Sequence, residues 1–241
     1  MRCVAVFAVL VALGCSSDPL LSAPAPESEP PPAATGAPTA APTGSVPSPS
    51  GEGAAFAPEV DYPPGPYGRG VGAVIENTTF LGWRDPVASN YDAEKLEPVS
   101  LSDFYDPSGV STKLIVINAS AVWCTVCQAE LKEMKTKQIA QTYRARGVQI
   151  LGTLFEDASG GPARPVDLRL WGSANVRAID FPLVLDPALK LGPYFASDAT
   201  PLNLIVDAKT MRIVYTMMGY DPSPTTGLWS VVERELAKRA E

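Results

Sequence analysis

Two cysteines, Cys124 and Cys127, stand with two residues between them, shortly after an apolar run at residues 114–118. Such a run is typical of a strand in the centre of a sheet, and a helix is predicted to begin at Cys124. The first turn of a helix has unpaired N–H groups and the positive end of the helix dipole, which favour a thiolate over a thiol. The segment therefore predicts a nucleophile at Cys124 and, one turn further on, a resolving thiol at Cys127.

The amino terminus has the pattern of a secretory signal. Arg2 is followed by an almost wholly apolar run up to Leu13 and then by a small residue, Gly14. This run is too short to span a bilayer. We therefore expect residues 1–14 to be a signal peptide and the mature protein to work outside the cytoplasm, where disulfides persist.

Cys15 directly follows Leu13 and Gly14 and resembles the cysteine of a lipobox, the site at which bacterial lipoproteins are cut and diacylated. Such boxes more often have Leu where this chain has Ala12. The resemblance implies that Cys15 becomes the lipidated first residue, which anchors the protein to a membrane on the periplasmic side of the cell envelope. Ordinary secretion, with Cys15 in an unmodified tail, is the alternative.

The composition changes after the signal. Residues 18–68 contain 14 of the 25 prolines of the chain and no Lys or Arg, and most of the others are Ala, Ser, Thr and Gly. Such a segment cannot bury a core and forms an extended tether with polyproline II stretches. We expect residues 15–68 to be a lipidated N-terminus with a disordered linker, and residues 69–241 to form one domain.

Charge and residue content exclude several classes of function. The net charge of −7 argues against nucleic acid as a partner, since such a partner needs a basic face. The chain has no histidine and only two cysteines in the predicted domain, so a four-ligand zinc site within one chain is not expected. We also see no flavin or nicotinamide motif, and we predict neither a metal nor a cofactor.

Strand and helix patterns alternate along the domain, and the last two strands have the pattern of an antiparallel hairpin. A strand, a helix and a strand in succession imply a parallel crossover, so we predict an α/β fold with a central mixed sheet and helices on both faces. Strands are predicted at residues 99–101, 113–118, 148–155, 181–185, 202–206 and 212–218, and helices at 124–146, 165–174, 187–195 and 228–236.

Residues 114–130 resemble the strand, the Trp-Cys-x-x-Cys motif and the first helix of the thioredoxin fold. The likeness is greatest to the TlpA/ResA-like thiol-disulfide oxidoreductases, which have a redoxin or AhpC/TSA-like domain. Residues 181–186 and 199–207 are similar to two further segments of that family, and the whole resemblance covers roughly residues 72–237. It implies a thioredoxin fold with an N-terminal extension that exchanges disulfides with protein substrates and needs no cofactor.

The family resemblance also implies roles for residues around the cysteines. The family has a Thr-Pro segment whose proline is cis and lies against the cysteine pair, and Thr200 and Pro201 match it. A proline there keeps a backbone edge free for an extended substrate, so both residues are expected to bind substrate, and Pro201 is also expected to belong to the catalytic site; a plain turn is the alternative. Trp123 is expected to cover the disulfide and help in docking, or else to be a core aromatic.

Glu130 matches the glutamate of the family's C-x-x-C-x-x-E motif. A carboxylate near the second thiol would disfavour its ionisation and could pass it a proton, which gives Glu130 an expected catalytic role. The alternative is a solvated helix glutamate. Asn118, six residues before Cys124, stands where this group commonly has Asn, or it merely ends a strand with a hydrogen bond.

The sequence thus predicts a membrane-anchored thiol-disulfide oxidoreductase of the cell envelope. Cys124 attacks a disulfide in a partner protein and Cys127 resolves the mixed disulfide; a reductase of this kind would draw electrons from a membrane partner. One alternative is a peroxiredoxin-like thiol peroxidase, although Ala121 stands where that group has Thr or Ser. The other is a binding lipoprotein with a structural disulfide.

Overall fold

The computed structural model describes residues 61–175 and 177–239. The predicted signal peptide, Cys15 and most of the predicted tether lie outside the described residues. Packing is present from Tyr62 onward, which is earlier than the domain boundary predicted at residue 69. The Tyr62 hydroxyl donates to the carbonyl of Ile75 at 2.8 Å, and its ring lies edge-on to Tyr105 with the centroids 5.8 Å apart.

The described residues form one mixed sheet of seven strands in the order β2-β1-β5-β4-β3-β6-β7. Neighbours β3 and β4 and neighbours β4 and β5 are parallel, and the other pairs are antiparallel. The mixed sheet and the final hairpin of β6 and β7 confirm the predicted architecture. The strands are β1 Thr79–Trp83, β2 Glu97–Ser100, β3 Leu114–Ala121, β4 Val148–Glu156, β5 Leu183–Leu185, β6 Leu202–Asp207 and β7 Arg212–Met218.

Helices flank this sheet, and they are α1 Thr125–Thr136, α2 Ile139–Arg144, α3 Pro165–Ser173 and α4 Leu228–Ala237. The single helix predicted at residues 124–146 is wrong, because Gln138 has a left-handed backbone (φ 53°) and separates α1 from α2. An unbroken helix would carry the buried face of α1 onto the polar side chains of Gln138 and Gln141. The break rotates α2 so that Ala140 and Tyr143 are buried instead.

The helix predicted at residues 187–195 is also wrong, since only a 3-10 turn at Gly192–Tyr194 forms there. The Asp186 carboxylate accepts hydrogen bonds from the backbone N–H groups of Lys190 (2.7 Å) and Leu191 (2.9 Å). These bonds hold a tight loop in which Leu189 has a positive φ of 49°. A left-handed residue at this position is incompatible with a continuous helix.

Strand β1 is absent from the sequence prediction. It pairs with β2 on one side and with β5 on the other, so it joins the predicted strand at β2 to the rest of the sheet. Its Gly82 crosses β5 closely, since a Cβ there would lie 2.3 Å from the carbonyl oxygen of Leu183. Glycine is therefore required for this pairing.

The centre of the sheet positions the cysteines. All eight residues of β3 are buried, and its register places Ala119 opposite Leu202, the first residue of β6. Because β3 and β6 are antiparallel, the end of β3 that leads to α1 lies beside the segment that enters β6. Within residues 61–175 and 177–239, no helix is both long and apolar enough to cross a membrane.

Candidate active site

Cys124 and Cys127 form a disulfide, with 5.3 Å between their Cα atoms. Cys124 is the N-cap of α1, as the sequence predicts, and its sulfur accepts a hydrogen bond from the backbone N–H of Cys127 at 3.0 Å. Cys124 is 3% exposed and Cys127 is fully buried. The pair therefore lies at the N-terminus of α1, where β3 leads into the helix, and Cys124 is the less buried of the two cysteines.

The N-cap position gives Cys124 an electrostatic advantage. The helix dipole has its positive end there, and the N–H of Cys127 points at the Cys124 sulfur. Both effects stabilise a negative charge on that sulfur more than on a sulfur inside the helix.

Thr200, the residue before Pro201, lies directly against the cysteines. The Thr200–Pro201 peptide bond is cis. The Thr200 hydroxyl donates a hydrogen bond to the Cys124 sulfur at 3.1 Å and lies 3.6 Å from the Cys127 sulfur. The structure thus brings the start of β6 and the start of α1 together at one place, with a hydroxyl donor on the Cys124 sulfur.

Glu130 is buried in α1, one turn beyond Cys127, and only 1% of its surface is exposed. Burial raises the pKa of its carboxyl to about 7, against the opposing effect of hydrogen bonds from Asn203 and Asn118. The negative charge of Glu133 raises it further. A solvated helix glutamate is therefore excluded, and the site has a carboxyl group that changes charge near neutral pH.

A buried hydrogen-bond network holds both carboxyl oxygens of Glu130. The Nδ2 of Asn118 donates to Glu130 Oε2 at 2.7 Å and to Asn203 Oδ1 at 2.9 Å, and the Nδ2 of Asn203 donates to Glu130 Oε1 at 2.9 Å. The Ser120 hydroxyl completes the network by donating to Asn118 Oδ1 at 2.8 Å. Asn118 therefore does not end a strand, since β3 continues to Ala121; its amide orients Glu130.

Asn203 is a site residue that the sequence analysis missed. It stands directly opposite Asn118 in the pairing of β3 with β6, so the two amides point to the same face of the sheet. A signal was present, since each of these asparagines interrupts an otherwise apolar strand. Buried amides need hydrogen-bond partners, and two of them in neighbouring strands indicate a shared polar partner.

Trp123 lies on the surface beside the disulfide, with 45% of its area exposed, which excludes the core alternative. Its indole N–H donates to the carboxylate of Glu156 at 2.7 Å. Next to it is a pocket of about 470 Å³ that reaches Thr200. The cysteine pair therefore has a solvent-facing surface beside it and a buried polar network beneath it.

Comparisons with known proteins identify the family. The model of the AhpC/TSA family matches residues 86–214, which is more than half of the chain. No curated protein sequence matches.

Three solved structures share the fold at low sequence identity. A Chlorobium tepidum protein, described provisionally as thiol:disulfide interchange protein DsbE, has a TM-score of 0.53 and 16% identity over 70% of this chain and 99% of its own. An uncharacterized conserved protein from Geobacillus kaustophilus has a TM-score of 0.53 and 18% identity over 70% of this chain and 84% of its own. A secreted thiol-disulfide isomerase from Corynebacterium glutamicum has a TM-score of 0.50 and 15% identity over 70% of this chain and 86% of its own.

At these identities the likeness shows the fold alone. The mixed sheet, the flanking helices and the disulfide at the start of α1 agree with it. The chain belongs to the AhpC/TSA family and has a thioredoxin-like fold.

Proposed function

We propose that this protein is a thiol-disulfide oxidoreductase that exchanges disulfides with protein substrates through Cys124 and Cys127. The observation that carries the proposal is the disulfide at the N-terminus of α1, whose Cys124 sulfur accepts hydrogen bonds from the Cys127 N–H and the Thr200 hydroxyl. A structural disulfide needs neither a helix N-terminus nor a hydroxyl donor. A sulfur that becomes a thiolate gains from both.

The reduced protein would reduce a substrate disulfide in two exchanges. The Cys124 thiolate attacks one sulfur of the substrate, forms a mixed disulfide and releases the other substrate sulfur as a thiolate. Cys127, once deprotonated, attacks the Cys124 sulfur, which closes the intramolecular disulfide and releases the second substrate thiolate. Two electrons pass from the cysteine pair to the substrate, and a separate donor must reduce the pair again.

Glu130 is proposed to take the proton from Cys127 in the second exchange. It lies one helical turn beyond this cysteine, and burial raises the pKa of its carboxyl to about 7. A general base works best when its pKa lies near the operating pH, because it is then both partly ionised and basic enough. Asn118 and Asn203 hold the carboxyl group in place and are positioning residues.

Trp123, Thr200 and Pro201 are proposed to bind the substrate. Trp123 is half-exposed beside the disulfide, and Thr200 contacts the Cys124 sulfur. Pro201 has no N–H and immediately precedes β6, so a substrate strand can approach this place without meeting a competing donor.

The proposed site of action is the cell envelope, on the periplasmic side. The sequence at residues 1–14 and Cys15 supports a signal peptide and a lipid anchor, and residues 15–68 support a tether between the membrane and the domain. A membrane protein is proposed as the electron donor. The Corynebacterium glutamicum structure is that of a secreted protein, which agrees with this placement.

The test is the equilibrium reduction potential of the cysteine pair, measured by titrating the full-length protein against glutathione or dithiothreitol buffers. We expect one reversible two-electron transition. A reducing potential would make the protein a reductase with a membrane donor, and an oxidising one would make it a disulfide donor. A pair that shows no reversible transition at any accessible poise would be structural, and the proposal would be wrong.

A further inference from the structure

The pocket beside the redox pair, which we call the side pocket, has a distinct shape and chemistry. Trp123 and Thr200 line the end that faces the disulfide. Since the Thr200 hydroxyl contacts the Cys124 sulfur, this pocket is adjacent to the place that a substrate disulfide must reach. The volume of about 470 Å³ is enough for one or two side chains of a substrate.

Apolar side chains form part of the wall of the side pocket. Phe155 and Phe195 meet edge to face there, with ring centroids 5.8 Å apart. Leu189 forms part of the wall, and 42% of its surface is exposed. Its backbone has a φ of 49°, which is unfavourable for a residue with a branched side chain, and the Asp186 carboxylate holds the surrounding loop. The loop therefore presents an exposed leucine to the pocket at a conformational cost.

The charge at the side pocket has one sign. The carboxylates of Glu156 and Asp198 line it, and no Lys or Arg among the described residues does so. Glu156 accepts the indole N–H of Trp123, which fixes one carboxylate beside the exposed ring. Two carboxylates next to these apolar side chains attract a cation at the pocket mouth and repel an anion.

This inference rests on the proposed function and adds the class of substrate. We infer that the side pocket takes an apolar side chain of the protein substrate whose neighbour is Lys or Arg, close to the substrate's reactive disulfide. The apolar side chain packs on Phe155, Phe195 and Leu189, and the cation faces Glu156 and Asp198. A substrate with acidic residues at that place is disfavoured. The net charge of −7 acts in the same direction at longer range.

The experiment uses three synthetic peptides of equal length, each closed by one internal disulfide with a leucine beside it. The residues next to the leucine are Lys-Lys, Gln-Gln or Glu-Glu. The second-order rate of oxidation of the reduced full-length protein is measured for each peptide and divided by the rate of the same peptide with dithiothreitol. We expect the Lys peptide to react about ten times faster than the Glu peptide at low salt, with a smaller ratio in high salt.

Variants locate the preference in the side pocket. The double variant Glu156→Gln with Asp198→Asn removes both charges and keeps an acceptor for Trp123, and we expect it to remove most of the charge preference. The matched control, Glu76→Gln with Glu94→Gln, changes the net charge equally at exposed carboxylates outside the pocket and should keep the preference. Leu189→Asn introduces a residue that tolerates the positive φ. The wild type should react faster with a peptide that has the leucine than with one that has glycine in its place, and this rate difference should be smaller in Leu189→Asn.

Two outcomes would contradict the inference in different ways. A reduced protein that fails to react even with the neutral reagent 2-hydroxyethyl disulfide would overturn the proposed function, and this inference with it. A protein that reduces this reagent but oxidises equally fast with all three peptides would overturn the inference alone. The same holds if the pocket variant and the control variant lose the charge preference equally.

Discussion

The cysteine pair has two sides that differ in almost every physical property. Beneath it, Glu130, Asn118 and Asn203 are buried and their polar atoms are bonded to one another. Above it, Trp123 and Glu156 face solvent and bond to each other at the rim of a pocket. A buried network holds one geometry and changes its charge at a shifted pH, whereas an exposed rim can meet different partners. Under the proposed function, proton transfer belongs to the lower side and recognition to the upper side.

The largest effect should come from the cysteines, on which both sides depend. Cys124→Ser is expected to abolish disulfide exchange, because the attacking sulfur is lost. Cys127→Ser is expected to trap the mixed disulfide with a peptide substrate, which mass spectrometry detects as an adduct of the peptide's mass. Disulfide turnover by the Cys124→Ser protein would contradict the proposed mechanism, and with it the separate roles proposed for the two sides.

On the lower side, Glu130→Gln should change how stability depends on pH. The pKa of Glu130 is about 7 in the folded protein and lower in the unfolded chain, so folding favours its protonated form. Its contribution to the free energy of unfolding is therefore largest below the pKa of the unfolded chain. It declines as the pH rises from there to about 7 and does not change further at higher pH. The total change is about 3 kcal/mol, from 1.36 kcal/mol per unit of pKa.

The measurement is urea unfolding of the oxidised protein at a series of pH values, with Glu94→Gln as a control at an exposed glutamate. The difference between wild type and Glu130→Gln should vary with pH, and the difference between wild type and Glu94→Gln should not. The rate of peptide reduction should also lose a pH-dependent step in Glu130→Gln. A pH profile identical to that of the wild type would remove Glu130 from the proton transfer.

A smaller effect is expected from Asn203→Leu, which tests the residue found only in the structure. It leaves Oε1 of Glu130 without its donor, which costs about 1 to 3 kcal/mol of stability at neutral pH. It should also raise the pKa of Glu130 further, since the lost bond favoured the charged form. If the bond is the cause, the substitution should cost less in a Glu130→Gln background, where the carboxylate is absent.

The smallest effect on folding is expected on the upper side. Trp123→Phe removes the indole N–H that bonds to Glu156 but keeps an aromatic ring, and the residue is half-exposed. We expect a change in unfolding free energy within about 0.5 kcal/mol and a several-fold slower reaction with peptide disulfides. A Trp123→Phe protein that is less stable but reduces peptide disulfides at the wild-type rate would show that Trp123 serves the fold and not the recognition of substrate.

Local sequence patterns predicted much of this molecule. The apolar run before Cys124 and the cysteine spacing located the strand, the helix start and the disulfide. Thr200 and Pro201 came from the family resemblance, and the contact of Thr200 with the cysteines follows from the antiparallel pairing of β3 with β6.

What sequence reasoning missed depends on contacts between distant residues. The break at Gln138 arises because the sheet accepts Ala140 and Tyr143 rather than the polar residues of a continued helix face. Strand β1 forms because Gly82 permits a close crossing with β5. The side pocket combines the end of β4 with the loops before β6, and no local pattern brings those segments together.

The pairing of Asn118 with Asn203 ties the chemistry of the site to the alignment of two strands. A slip of one residue between β3 and β6 would turn Asn203 to the opposite face of the sheet and take its amide away from Glu130. At the far end of this pairing, away from the cysteines, Leu114 stands opposite Asp207 and the N–H of Ala208 donates to the carbonyl of Lys113 at 3.1 Å. The position of the Glu130 carboxyl group therefore depends on backbone hydrogen bonds along the whole length of β3 and β6, including those furthest from the cysteines.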